Sequence, residues 1–335
     1  MIRPQEHGLA VFYADYFRVV YLQDPRHPRS AKTIADYDAA VRDYVRITGD
    51  PPLEEIDQGL GDALVESLMN LPGKRPGSIA SPETVRKKCR TLQTLLKFLG
   101  PPVSRSTRRA AGIFPQVPCW LDPPDPLPPR VDKAIRRDEL EAWLKATDSA
   151  RMTLPVLDPP PVWWRTLLAV LYYTGLRIET ALALRYSWID GQWLKVPAAG
   201  MKGRRRPGRF WLSPLALEQL ESFRRPDRDR VFSWPHYSRG SLTLDANRPA
   251  ARRAIDRERV RQHAEAGIRE GLGFHSIRDL VAELLWQVDP VAAQFALGHT
   301  TAKTTATHYV GGEAKAAVID RALPALPAGA RLRVI

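Results

Sequence analysis

Cysteine is almost missing from this chain, with only Cys89 and Cys119 among 335 residues. Two thiols cannot build a disulfide framework or a cysteine-rich zinc cluster. Long apolar runs are missing too. No stretch of about 18 such residues occurs, which excludes a membrane helix, and the opening Met1-Ile2-Arg3-Pro4-Gln5-Glu6 lacks the apolar core of a signal peptide. No Gly-Lys-Ser/Thr follows a glycine-rich turn, so a nucleotide-binding P-loop is excluded. The expectation from these absences is a soluble protein in a reducing, cytoplasmic setting. There is no internal repeat.

Acidic residues are scarce in particular places. The net charge is +13, and residues 74–109 carry ten basic side chains against the single acid Glu83. Charge focused in this way suits a polyanion partner. In the same region, "SPETVRKKCRTLQTLLKFLGPP" is a well-punctuated helix. Ser81 caps it, Pro82 takes the first helical position, and Gly100 with two prolines ends it. Val85, Cys89, Leu92, Leu96 and Leu99 form one apolar stripe, while Arg86, Lys87, Arg90 and Lys97 lie mostly off it. With Lys74 and Arg75 nearby, Arg86, Lys87 and Arg90 are candidates for phosphate contacts. A second helix begins after Ser30 and stops at Gly49.

Proline is what the middle of the chain has in excess. Seven of the fifteen residues from Pro115 to Pro129 are proline, which excludes regular helix or central strand. The expected organisation is a helical domain over 1–112, an extended linker over 113–129 and a second domain over 130–335. Pro155 to Pro161 reads as a surface loop of the second domain. That domain is expected to be mostly helical, with two helices meeting at Thr174-Gly175 and one β-hairpin of strands 192–197 and 209–213 around a Gly- and Arg-rich turn. Helices are expected from Ser213-Pro214 to the end.

Several residues of the second domain have chemistry to offer. Arg177 is expected one turn into the helix that follows "YYTG", where a guanidinium can grip phosphate oxygens. Lys202, followed by Arg204 and Arg205, lies in the hairpin turn: a basic surface loop, or a lysine able to enter a groove and donate a proton. "GFHSIRDLVAELL" puts His275 and Arg278 on one helix face. Their imidazole and guanidinium suit proton transfer and charge stabilisation. "LGHTTAKTTATHY" carries His299 and, ten residues on, Tyr309. Alone, that tyrosine is most simply a packing residue.

Taken in order, Gly-Leu-Arg, a hairpin lysine, His-x-x-Arg, Leu-Gly-His and a following tyrosine resemble the tyrosine recombinase (phage integrase) family. "TGLRIETALALRYSWID" is similar to that family's first box and "LGHTTAKTTATHY" to its last; the resemblance is strong over 130–320. It implies a mainly α fold with a small antiparallel sheet, made of a helical core-binding domain and a catalytic domain that clamp duplex DNA. It also implies a site-specific recombinase that cleaves and rejoins DNA through a 3′-phosphotyrosyl link on Tyr309, assembled as a homotetramer on two DNA sites. Arg177, Lys202, His275, Arg278 and His299 would form the pocket, with no cofactor: neither ATP nor metal is required. The segment "EAKAAVIDRAL" (313–323) is amphipathic and would dock on a neighbouring copy or pack on its own domain. No room is expected for an additional amino-terminal DNA-binding domain.

Three departures stand out. Family members often carry an acid three residues after the first arginine, where this chain has Thr180 preceded by Glu179. Asp279 follows Arg278 where His, Arg or a small residue is common, and it is expected to face away from the pocket. His299 and Tyr309 are one residue further apart than in many members. Other functions remain open at this stage. A non-catalytic DNA-binding protein could retain the fold, and a type IB topoisomerase would share the residues. A metal-dependent nuclease could use His275, Asp279 and Glu283 at i, i+4 and i+8.

Overall fold

The computed structural model describes residues 3–25, 29–73, 76–125, 134–151, 158–201, 207–226, 228–238, 241–246, 249–289 and 297. The chain divides into two compact units, Met1–Pro129 and Arg130–Ile335.

The first unit is helical. α1 (Leu9–Phe12) continues as a π-helical stretch, Tyr13–Leu22, and is followed by α2 (Ala31–Thr48), α3 (Gln58–Met69) and α4 (Pro82–Lys97). Two of the starts are set by serine caps. The Ser30 and Ser81 hydroxyls accept from the Thr33 and Thr84 amides, satisfying donors that the first helical turn leaves open. Gly49 closes α2 at φ 75°, the left-handed conformation that costs glycine least. α4 buries Val85, Cys89, Leu92, Leu95 and Leu96, and the core it joins includes Phe12, Phe17, Tyr44 and Phe98.

The proline-rich stretch has neither helix nor strand over 113–125, but it is not a loose tether. Cys119 and Leu121 are buried in the first unit's core. Gln58 and Gln93 bind its backbone, Gln58 accepting from the Trp120 amide at 3.0 Å and Gln93 from the Leu121 amide at 2.7 Å.

The second unit contains α5 (Arg137–Ala146), α6 (Pro160–Thr174), α7 (Ile178–Leu182), β1 (Ile189–Asp190), β2 (Trp193–Val196), β3 (Gly208–Trp211), α8 (Pro214–Ser222), β4 (Ser233–Ser238), β5 (Ser241–Asp245), α9 (Pro249–Glu265) and α10 (Phe274–Val288). β1, β2 and β3 form an antiparallel sheet in that order, and β4 and β5 pair separately. The expected hairpin is β2–β3, with Val196 opposite Gly208 at the turn end. β1 extends it to three strands.

Three local expectations are corrected. Helices do not run unbroken from Ser213, because β4 and β5 intervene; their "SWPHYS" and "SLTLD" segments are too short and polar to show clear alternation. Pro160 and Pro161 are not loop but the first turn of α6, where a missing amide costs nothing. Arg177 is the residue before α7, not one turn inside it.

α6 is the spine of this unit. From Trp163 to Thr174 every residue but Arg165 is buried, so it reads as a hydrophobic run with no polar face. Trp163 donates through Nε1 to the Ser233 carbonyl at 2.9 Å, and Trp143 of α5 donates to Gln262 of α9 at 2.8 Å. Indole bodies thus fill the core while their N–H groups tie neighbouring elements.

Candidate active site

The site starts from a turn. α6 ends at Thr174, and Gly175 reverses the chain at φ 58°. A Cβ on Gly175 would lie 2.7 Å from Leu297 Cδ2 and 3.2 Å from Val281 Cγ1. Glycine is therefore required twice, for its backbone angle and for the approach of two other segments. The turn delivers Arg177 to the residue just before α7.

α10 is seated by aromatic packing. Phe274, its first residue, stacks on Trp164 with ring centroids 6.1 Å apart and lies 5.6 Å from Trp143. The Ser276 hydroxyl accepts from the Gly273 amide at 3.1 Å and closes the helix start. Ile277, Val281 and Leu285 face the core, which fixes the helix rotation and points Arg278 inward, 4% exposed.

Arg278 donates to the Gly175 carbonyl and, at 2.5 Å, to the Leu297 carbonyl. One guanidinium therefore joins three segments that are distant in sequence: the turn before Arg177, the His-x-x-Arg helix and the residue preceding Gly298-His299. Burial pushes its pKa down to about 10, and the neighbouring positive charge of Arg177 adds to that fall. It remains charged at neutral pH. The two positive charges oppose each other, and an anion bound near both would relieve that repulsion.

Thr180 stands where an acid was expected. It is 5% exposed, and its hydroxyl donates to the Gly200 carbonyl at 3.3 Å. That bond ties α7 to the root of the β2–β3 turn, two residues before Lys202. Met201 and Gly208 close the two sides of that root, since a Cβ on Gly208 would lie 2.7 Å from Met201 Sδ. Arg252 of α9 has a half-buried guanidinium whose pKa is pushed down by desolvation and held up by the charges of Glu179 and then Asp256.

His275 and Asp279 correct an expectation. Asp279 does not face away: its Oδ1 lies 3.6 Å from His275 Nε2, one helical turn back. The i, i+4 spacing signals this contact in the sequence, but it equally suited a metal face. No group of three His, Cys, Asp or Glu able to hold a metal is present among the described residues.

Of the other candidates, Lys202, Arg204, Arg205, His299 and Tyr309 lie outside the described residues, as do the 313–323 segment, Lys74 and Arg75. On α4 three of the basic side chains have protein partners. Lys87 pairs with Asp36 at 2.6 Å, Lys88 with Asp43, and Arg86 donates to the Pro124 carbonyl. Arg90 is exposed. The pairing of Lys88 with Asp43 binds α4 to α2 and was not anticipated, because nothing local links residues 45 apart.

A family model described as "Phage integrase family" matches residues 133–315, more than half of the chain. No curated protein matches. Among solved structures, a lambda integrase dimer bound to a COC′ core site is similar at 15% identity and TM-score 0.58, covering 91% of this chain and 98% of that one. XerH site-specific recombinase bound to a difH substrate, in a pre-cleavage complex, is similar at 18% identity and TM-score 0.53, covering 80% and 74%. The Tn1549 transposon integrase in complex with a circular intermediate DNA is similar at 14% identity and TM-score 0.51, covering 94% and 99%. No helix among the described residues is long and apolar enough to cross a membrane.

Proposed function

This chain belongs to the phage integrase family of tyrosine site-specific recombinases, and we propose that Tyr309 is its nucleophile, acting in a pocket formed by Arg177, Lys202, His275, Arg278 and His299. The observation that carries the reading is Arg278. Its bonds to Gly175 and Leu297 gather the sequence boxes holding the first arginine, the His-x-x-Arg pair and the last histidine around one buried positive charge.

A tyrosine hydroxyl ordinarily ionises near pH 10, so attack on a phosphodiester requires proton removal and neutralisation of the charge building on the phosphoryl oxygens. Arg177 and Arg278 supply fixed positive charge there, and His299 adds a hydrogen bond to the phosphate. Loss of one such donor costs about 10²–10³ in rate, by analogy with oxyanion holes. His275 takes the tyrosine proton and returns it on rejoining. Lys202, two residues after the Gly200 whose carbonyl accepts from Thr180, protonates the departing 5′-oxygen. One phosphoester replaces another, so the bond energy is kept and the freed 5′-hydroxyl of a second strand can attack in turn. These steps draw on the chain's own residues, without ATP or a metal.

Residues 1–112 act as the core-binding domain, with Lys74, Arg75, Arg86, Lys87 and Arg90 near the DNA backbone and Arg204 and Arg205 flanking the hairpin lysine. Such contacts make affinity salt-dependent. The working assembly is a homotetramer on two DNA sites, as the lambda integrase tetramer bound to a Holliday junction illustrates for that protein, and its setting is the cytoplasm.

The test is Tyr309→Phe, assayed on a pool of nicked duplexes of randomised sequence from which wild-type protein selects what it traps. The variant is expected to bind the selected duplexes as wild type does while forming no adduct on denaturing gels. An undiminished adduct would remove Tyr309 from its role.

A further inference from the structure

Asp279 is the acid that the pocket was not expected to contain. It sits one turn after His275 on α10, so the two side chains leave the same side of the helix. Its Oδ1 is 3.6 Å from His275 Nε2; the carboxylate is 30% exposed and the imidazole 71%. The same carboxylate opposes the fall in the Arg278 pKa caused by burial and by Arg177. Asp279 therefore approaches the imidazole and adds its negative charge on the side of the inner guanidinium's ionised form.

His275 has a handicap that this carboxylate offsets. It is the second residue of α10, where open backbone amides and the helix dipole disfavour a positive imidazolium. A base that receives the tyrosine proton becomes that imidazolium while attack is under way. A carboxylate one turn along lowers the cost. Its approach is to Nε2, and the nitrogen that donates to a partner leaves the other as the acceptor.

We propose that Asp279 is a positioning residue for His275: its carboxylate accepts the Nε2 hydrogen, holding the tautomer whose Nδ1 lone pair takes the proton of the attacking tyrosine. The inference rests on the function proposed above. The proton leaves Tyr309 Oη for Nδ1, the Oη–phosphorus bond forms as the phosphorus–O5′ bond breaks, and Lys202 protonates O5′. Asp279 passes no proton. At 3.6 Å the two groups form an ion-pair distance and not yet a hydrogen bond. A turn of the exposed imidazole closes it, and DNA over the site removes competing water.

Two measurements on the full chain test this. Nitrogen-15 spectra of the imidazole without DNA are expected to show His275 protonated at Nε2 when neutral, and a tautomer mixture in Asp279→Ala; identical tautomers in both would overturn the pairing. On duplexes selected as above, Asp279→Ala is expected to slow adduct formation about tenfold to a hundredfold, with DNA binding and thermal midpoint retained. Asp279→Glu should recover part of the rate. In a His275→Ala background, Asp279→Ala should add nothing, because a residue acting through another has no effect once that one is gone. Equal rates, or losses that multiply in the double variant, would overturn the inference while leaving Tyr309 in place. If wild type traps no DNA, or Tyr309→Phe traps it, the proposed nucleophile fails, and the tautomer measurement still decides the pairing.

Discussion

Gly175 has no functional group, yet the site depends on it as much as on any arginine. Its left-handed φ of 58° and its 2.7 Å and 3.2 Å clearances to Leu297 and Val281 leave no room for a methyl group. Gly175→Ala should destabilise the protein by about 2–3 kcal/mol, combining backbone strain with overpacking, which denaturant unfolding would measure. Because its carbonyl also receives Arg278, the adduct rate should fall beyond what lost stability explains. On the first unit, Arg90 is exposed while Arg86 already donates to Pro124 and Lys87 pairs with Asp36. Arg90→Ala is accordingly expected to weaken DNA binding and reduce the magnitude of its log–log salt slope by about 1. A salt titration that leaves the slope unchanged would take Arg90 off the DNA.

Helix starts and ends govern how these residues are presented. α4 begins at a serine cap with proline in its first turn, both readable in "SPETV". Ser81→Ala should cost about 1 kcal/mol in urea unfolding, the usual value of a capping hydroxyl. α10 shows a subtler dependence. Its start is closed by the Ser276 hydroxyl on the Gly273 amide and by Phe274 stacked on Trp164. Helical spacing placed His275 and Arg278 on one face, but could not distinguish a face turned to the core from one turned to solvent. The packing of Ile277, Val281 and Leu285 decides it, burying Arg278 and leaving His275 open. The β4–β5 hairpin was missed because its strands lack a sustained apolar alternation.

At the scale of the molecule, the second unit holds a buried histidine that ties its stability to pH. His263 stands edge-on to Trp143, with ring centroids 4.2 Å apart, and burial followed by the charge of Arg259 lowers its pKa from 6.5 to about 4. Between those values the unfolded chain binds a proton that the folded protein does not, so stability falls as pH drops through that window. The loss should be about 2 kcal/mol between pH 7 and pH 5. His263→Gln should flatten this limb; an unchanged pH profile would show that the fall arises elsewhere. Glu139 acts lower on the scale. Arg269 holds its carboxyl at about 2, so its contribution is intact above the ordinary carboxylate range and is lost as pH falls toward 2.

The sequence by itself determined the class of chemistry. Arg177, Lys202, His275, Arg278, His299 and Tyr309 appear in order, and the caps at Ser30 and Ser81 with the stop at Gly49 are local signals that neighbouring residues suffice to set. Tertiary structure decided what spacing cannot encode. Arg278 reaches the Gly175 carbonyl 103 residues away, and Thr180 spends its hydroxyl on the hairpin root. Each of those outcomes depends on which face of a helix is buried, and burial belongs to the packed molecule, because the segments that cover a residue come from far along the chain.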